Sequence, residues 1–75
     1  PQVQFKVFPN PFNQEVTIAI KSVQNTEFKI YNMIGELVSN GKLNSQIKTI
    51  DLSSLAPNVY ILDIENQSIR LTKTF

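Results

Sequence analysis

The 75-residue chain has no cysteine, no histidine and no tryptophan, and it has only two glycines. Each absence removes a class of chemistry. Without cysteine there is no disulfide framework and no thiolate metal site, so an oxidising compartment is neither implied nor excluded. Without histidine, the Ser-His and Cys-His pairs of nucleophilic catalysis are missing, and imidazole metal ligands go with them. Two glycines cannot build a loop that cradles phosphates. No charge sign dominates: seven Lys and Arg stand against six Asp and Glu, a net +1. That is not the basic stripe of a nucleic-acid binder. Apolar runs stop at three or four residues, so no segment spans a bilayer and none reads as a secretory h-region. Direct membrane insertion is not expected.

The carboxylates present are Glu15, Glu27, Glu36, Asp51, Asp63 and Glu65. They are dispersed, mostly at outward strand positions or turn flanks, where they guard sheet edges. A calcium site at Asp51 or Asp63 would need an acidic loop of suitable spacing, and none is present. The aromatic residues raise a sugar-stacking platform, but Phe28 and Tyr60 fall on core parity and read as packing. No catalytic, cofactor-binding or metal-binding residue is singled out, no cofactor is implied, and no enzyme is expected.

What remains is a small β-protein. A domain of this size buries only about 60% of its unfolded surface, so its core must be efficient. Val and Ile dominate the apolar set, and alanine occurs only as Ala19 and Ala56. In residues 15–21, EVTIAIK, Val16, Ile18 and Ile20 alternate with Thr17, Ala19 and Lys21, the pattern of a half-buried strand. The cluster SVQNT turns the chain into EFKIYN, with Phe28 and Ile30 on one face. Gly35 suits the positive-φ position of a hairpin loop leading to Leu37 and Val38. Asn40-Gly41 predicts a type I′ two-residue turn joining ELVS to KLN.

Further on, QIKTIDL places Ile50 and Leu52 on one face, and the odd parity of Ile47 suggests a bulge. In SSLAPN, Ser53 and Ser54 start one turn that Pro57 stops. NVYILDIE is the strongest strand, with Tyr60, Leu62 and Ile64 on its inner face. Asn66-Gln67-Ser68 then turns into SIRLTKTF, where Ile69 and Leu71 face inward and Arg70, Thr72 and Thr74 outward. Six or seven short strands with turns every eight to twelve residues predict an all-β sandwich or barrel in one domain, residues 1–75.

Four blocks stand out in order: VFPNPFNQEVTIAI, FKIYNMIGELV, IDLSSLAPNVYILDIE and IRLTKTF. The first holds Pro9-Asn10-Pro11, which by itself reads as a rigid extended lead-in that cannot pair as a central strand. In this order the blocks resemble the type A C-terminal sorting domain of the bacterial type IX (Por) secretion system, over nearly the whole chain. The resemblance implies an immunoglobulin-like β-sandwich of about seven short antiparallel strands. It also implies a role: an address that ends secreted enzymes and adhesins of Bacteroidetes and directs its upstream cargo through the translocon. On that view the chain is a fragment of a longer secreted protein.

The resemblance further implies a route through the periplasm and across the outer membrane to the cell surface or medium, where a sortase of the cysteine-protease class would remove the domain. Carried over position by position, the front motif falls on Pro9, Asn10 and Pro11. The central turn falls on Tyr31, Asn32 and Gly35, the third motif on Leu55, Asn58 and Tyr60, and the basic strand on Arg70, Leu71, Lys73 and Phe75. Two positions depart from the pattern. Asn58 stands where glycine is usual, its αL tolerance preserving the turn, and the tail has fewer lysines and ends in Phe75.

Residues 69–75, placed near a sheet edge, would offer main-chain groups for strand addition by a translocon component. Exposed strand edges would also permit weak self-association. The competing expectation is a passive immunoglobulin-like or fibronectin-like accessory module, binding carbohydrate or spacing a catalytic domain.

Overall fold

The computed structural model describes residues 4–21 and 26–74, which leaves most of the SVQNT turn and Phe75 outside the described residues. Alternating apolar positions become strands along the chain: β1 (Phe5–Phe8), β2 (Glu15–Ile20), β3 (Thr26–Tyr31), β4 (Leu37–Leu43), β5 (Ile47–Asp51), β6 (Val59–Ile64) and β7 (Gln67–Thr72). None of the described residues is helical, so no helix is long and apolar enough to cross a membrane.

The strands form two sheets, ordered β1-β2-β5 and β4-β3-β6-β7, and every strand pair is antiparallel. This is the expected β-sandwich. The constant-type immunoglobulin arrangement puts the fourth strand beside the fifth. Here β4 pairs with β3 instead, so the short link from β4 to β5 crosses between sheets. The edge strands are β1 and β5 on one sheet and β4 and β7 on the other. β1 at an edge agrees with a segment closed off by proline.

Both inner faces supply the core. Val16, Ile18 and Ile20 from β2 meet Phe28 and Ile30 from β3 and Tyr60, Leu62 and Ile64 from β6, as their parity requires. Leu43, Ile50, Leu52 and Leu71 complete it, and so does Phe12, which lies outside all seven strands. With no disulfide available, this burial is the main favourable term, about 1.5–3 kcal/mol for each large apolar side chain.

Several local expectations are corrected. Asn40-Gly41 is not a turn: β4 runs straight through it, and Gly41 pairs with Phe28. Its φ is not positive. Glycine stands there because a Cβ would lie 2.9 Å from Cε2 and 3.1 Å from Cζ of Phe28, whose ring covers the position. The two-residue turn with both φ positive lies instead at Glu65 and Asn66, between β6 and β7. That is the backbone of a type I′ hairpin. Gln67 and Ser68, expected in the turn, already belong to β7.

Ile47 marks no bulge, for the β2–β5 register is continuous; its side chain points to solvent. The irregularity falls between β3 and β4 at Ile30/Tyr31, where Val38 is skipped. Asn58 is not left-handed, since Glu65 and Asn66 are the positive-φ non-glycine residues among those described. Its Oδ1 accepts the Val59 N–H at 2.8 Å and its carbonyl accepts the Lys73 N–H at 2.9 Å. The serine turn forms as one turn, with Leu55 N–H donating to the Leu52 carbonyl.

Candidate recognition surface

Residues 9–14 connect β1 to β2, neighbours in the three-stranded sheet, yet this connection reaches the far edge of the other sheet. It bends rather than extends, and the peptide bonds before Pro9 and Pro11 are both cis. The Asn10 carboxamide acts as a substitute peptide group. Its Nδ2 donates to the Arg70 carbonyl at 2.8 Å, and its Oδ1 accepts the Thr72 N–H at 3.0 Å. Phe12 then continues as main chain: its N–H donates to the Thr72 carbonyl at 2.8 Å, and its carbonyl accepts the Thr74 N–H at 2.7 Å. The Thr74 hydroxyl donates to the same carbonyl at 3.1 Å.

The result is a parallel bridge between Phe12 and Lys73. Pro9, Asn10 and Pro11 stay exposed while the Phe12 side chain is 1% exposed, an anchor beneath an exposed strap. β7 is thus at a sheet edge, as expected, but the edge from the Arg70 carbonyl to the Thr74 N–H is already filled. Strand addition there is not open to a partner while the strap is in place.

The second block forms a hairpin tip organised by Asn32. Its Oδ1 accepts from the Ile34 N–H at 3.1 Å and the Glu36 N–H at 2.9 Å, and its Nδ2 donates to the Glu36 carboxylate at 2.8 Å. Gly35 has φ +89° with open space around it, so the conformation and not crowding calls for glycine. Met33, Ile34 and Leu37 are exposed on this tip.

The third block is a tyrosine corner, in which a tyrosine near the start of the sixth strand hydrogen-bonds to backbone just upstream. The Tyr60 hydroxyl donates to the Ala56 carbonyl at 2.6 Å, fixing the crossover from β5 to β6. Leu55 packs against the core below it. At the start of this crossover, Asp51 Oδ1 accepts the Ser53 N–H at 2.9 Å. The Ser53 hydroxyl, and then this N–H, hold the Asp51 carboxyl below its ordinary pKa.

Around β7 the four blocks meet. Asn10 bonds to Arg70 and Thr72, and Asn58 to Lys73. Across the outer face of the four-stranded sheet, Leu37, Tyr31, Ile61 and Arg70 form one row. Tyr31 and Ile61 are half-buried in it, and Leu37 and Arg70 are exposed. Leu55, Tyr60 and Leu71 lie in or against the core, and Gly35 lies at the hairpin tip away from this cluster. Phe75 lies outside the described residues.

Two features escape sequence reasoning. Phe12 offers no alternation to mark it as core, and the Lys73 side chain, 8% exposed, is more buried than its charge suggests. Lysine does this by laying its methylene stem on apolar surface with the ammonium toward water; the parity of Leu71 was the available signal. Beside this surface a polar hollow is lined by Glu27, Lys29, Asp63, Glu65 and Asn66, and Asp63 Oδ1 is buried in the fold without a hydrogen bond. Among the described residues no group of three or more acidic side chains is placed to hold a metal.

No curated protein and no solved structure matches the chain. The family model described as secretion system C-terminal sorting domain matches residues 6–75, taking in the strap, the hairpin tip, the tyrosine corner and β7 together. Membership implies engagement with the type IX secretion machinery, a cargo upstream, and export to the cell surface or medium. A match of this extent makes the assignment: the chain belongs to the family of C-terminal sorting domains that serve as signals for type IX secretion.

Proposed function

We propose that the machinery reads the surface assembled around β7, and that this domain serves as ligand and address, not as catalyst. The supporting observation is convergence: strap, third block and basic strand are joined by hydrogen bonds at Arg70, Thr72 and Lys73. Tyr31 lies in the same cross-sheet row as Arg70. Because the outward main-chain groups from the Arg70 carbonyl to the Thr74 N–H are taken, recognition falls to side chains. Arg70 supplies exposed charge, the row from Leu37 to Ile61 supplies apolar and aromatic contact, and Pro9 and Pro11 supply a rigid margin.

In this reading residues 1–75 form one sorting domain following a cargo domain. The cargo passes from the periplasm across the outer membrane through the translocon, and a surface sortase then removes the domain. Cargo is left attached to the surface or released.

The test is a reporter fused upstream of the domain in a type IX-competent host. Export is expected with the intact domain, and it should fall at least tenfold on deleting residues 71–75 or with Arg70→Ala. Unchanged export after the deletion would refute a role for the terminal strand. If the intact domain fails to export the reporter, the accessory-module reading takes its place.

A further inference from the structure

We propose that residues 9–12 are an edge lock, and that releasing it opens β7 as a seam along which a second copy of this chain pairs. This goes beyond the sorting role and does not depend on it. Alternate residues of a strand direct their N–H and C=O groups to opposite sides. Lys73 donates toward Asn58, so Arg70, Thr72 and Thr74 face the open side of the sheet. Four of their groups are held by the strap: the Arg70 carbonyl, the Thr72 N–H and carbonyl, and the Thr74 N–H. An unpaired edge of this kind is a template for another strand.

The occupant follows from the same geometry. An antiparallel two-fold pairing centred on Thr72 sets Arg70 opposite Thr74 of the other copy, and Leu71 opposite Lys73. All four groups freed by the strap then find partners. No two like charges face each other, and the two Thr72 side chains meet as a cross-strand threonine pair, a favoured combination. The contact is isologous and closes as a dimer.

The other edges are blunted differently. β1 has four residues and runs into proline; β4 carries the irregularity at Val38, and a charged residue, Lys42, lies along it. On β5 the Ile47 carbonyl is capped by the Ser45 hydroxyl at 2.7 Å.

Sedimentation over a wide concentration range tests the proposal, with hydrogen exchange of the Thr72 and Thr74 amides alongside. The intact chain is expected to be monomeric, with both amides slow although they lie on an edge. Asn10→Ala should raise Thr72 exchange at least tenfold in dilute solution and double the mass at high concentration. Asn10→Ala/Thr72→Pro should return to a monomer, since the lost N–H points away from β6. Asn10→Ala leaves the two Phe12 bonds to β7 in place, so the Thr74 amide reports whether the strap has let go. A folded variant that stays monomeric with Thr74 fast would overturn the pairing, and one that stays monomeric with Thr74 slow would overturn Asn10 as the lock. Should Asn10→Ala not fold, Asn10→Asp keeps an acceptor for the Thr72 N–H but turns the bond to the Arg70 carbonyl into an oxygen–oxygen repulsion. Its readout is the mass alone, which should double at high concentration, and a monomer at every concentration would overturn the pairing. Fast Thr72 and Thr74 amides in the intact chain would overturn the lock.

Discussion

Gly41→Ala gives the sharpest stability test, because two effects of opposite sign meet at one position. Gly41 lies in β4 with ordinary strand backbone. Replacing such a glycine with alanine stabilises by about 0.4–1 kcal/mol through the unfolded chain. Against this, the added Cβ would lie 2.9 Å from the Phe28 ring, closer than carbon atoms pack. The atoms met are the far end of a side chain, but that side chain is 3% exposed and held by the core. Overpacking of this kind costs about 1–3 kcal/mol.

The steric term wins by about 1.5 kcal/mol, lowering Tm by about 6–12 °C for a domain of this size. Thermal unfolding followed by circular dichroism measures it. The cycle with Phe28→Leu isolates the cause, since alanine at position 41 should then be neutral or stabilise by up to about 1 kcal/mol. A Tm for Gly41→Ala at or above that of the parent, or equal costs in both backgrounds, would refute the reasoning.

Tyr60→Phe removes the bond to Ala56 and should cost about 1 kcal/mol, a fall of about 4–8 °C in Tm. Asn32→Ala removes three bonds at the hairpin tip. It should cost about 1–3 kcal/mol by denaturant unfolding while leaving the far β7 amides protected in hydrogen exchange. For Asp51, whose folded pKa is lowered by Ser53, the contribution is present above the unfolded pKa and is lost as pH falls through the folded one. Ser53→Ala, which keeps the N–H bond, should raise the Asp51 titration midpoint part of the way toward the ordinary carboxylate value, as read by NMR; an unchanged midpoint would rule out the Ser53 hydroxyl as the main cause.

Sheet membership was only partly legible in the chain. Strict alternation placed Val16, Ile18, Ile20, Tyr60, Leu62 and Ile64 correctly, because a half-buried strand has to alternate. Asn40-Gly41 misled because glycine has two uses that local sequence does not separate: it permits positive φ, and it makes room. Only the cross-strand neighbour Phe28 decides between them. Conversely, Glu65-Asn66 lacks glycine, and the hairpin's closure imposes left-handed backbone there anyway. The candidate surface was legible as four blocks but not as one place. The joining bonds run from Asn10 to residues sixty positions and more away, a distance at which no periodicity carries information.

That separation has a consequence for how the domain is made. The strap is translated near the start of the domain and its receptor much later, so the bonds of Asn10 and Phe12 cannot form until β7 exists. A chain interrupted before Arg70 has no partner for these groups, and incompletely paired segments of this kind are prone to aggregate. The surface around β7 is therefore whole only when both ends of the domain are present, since its bonds join residues 10–12 to residues 70–74.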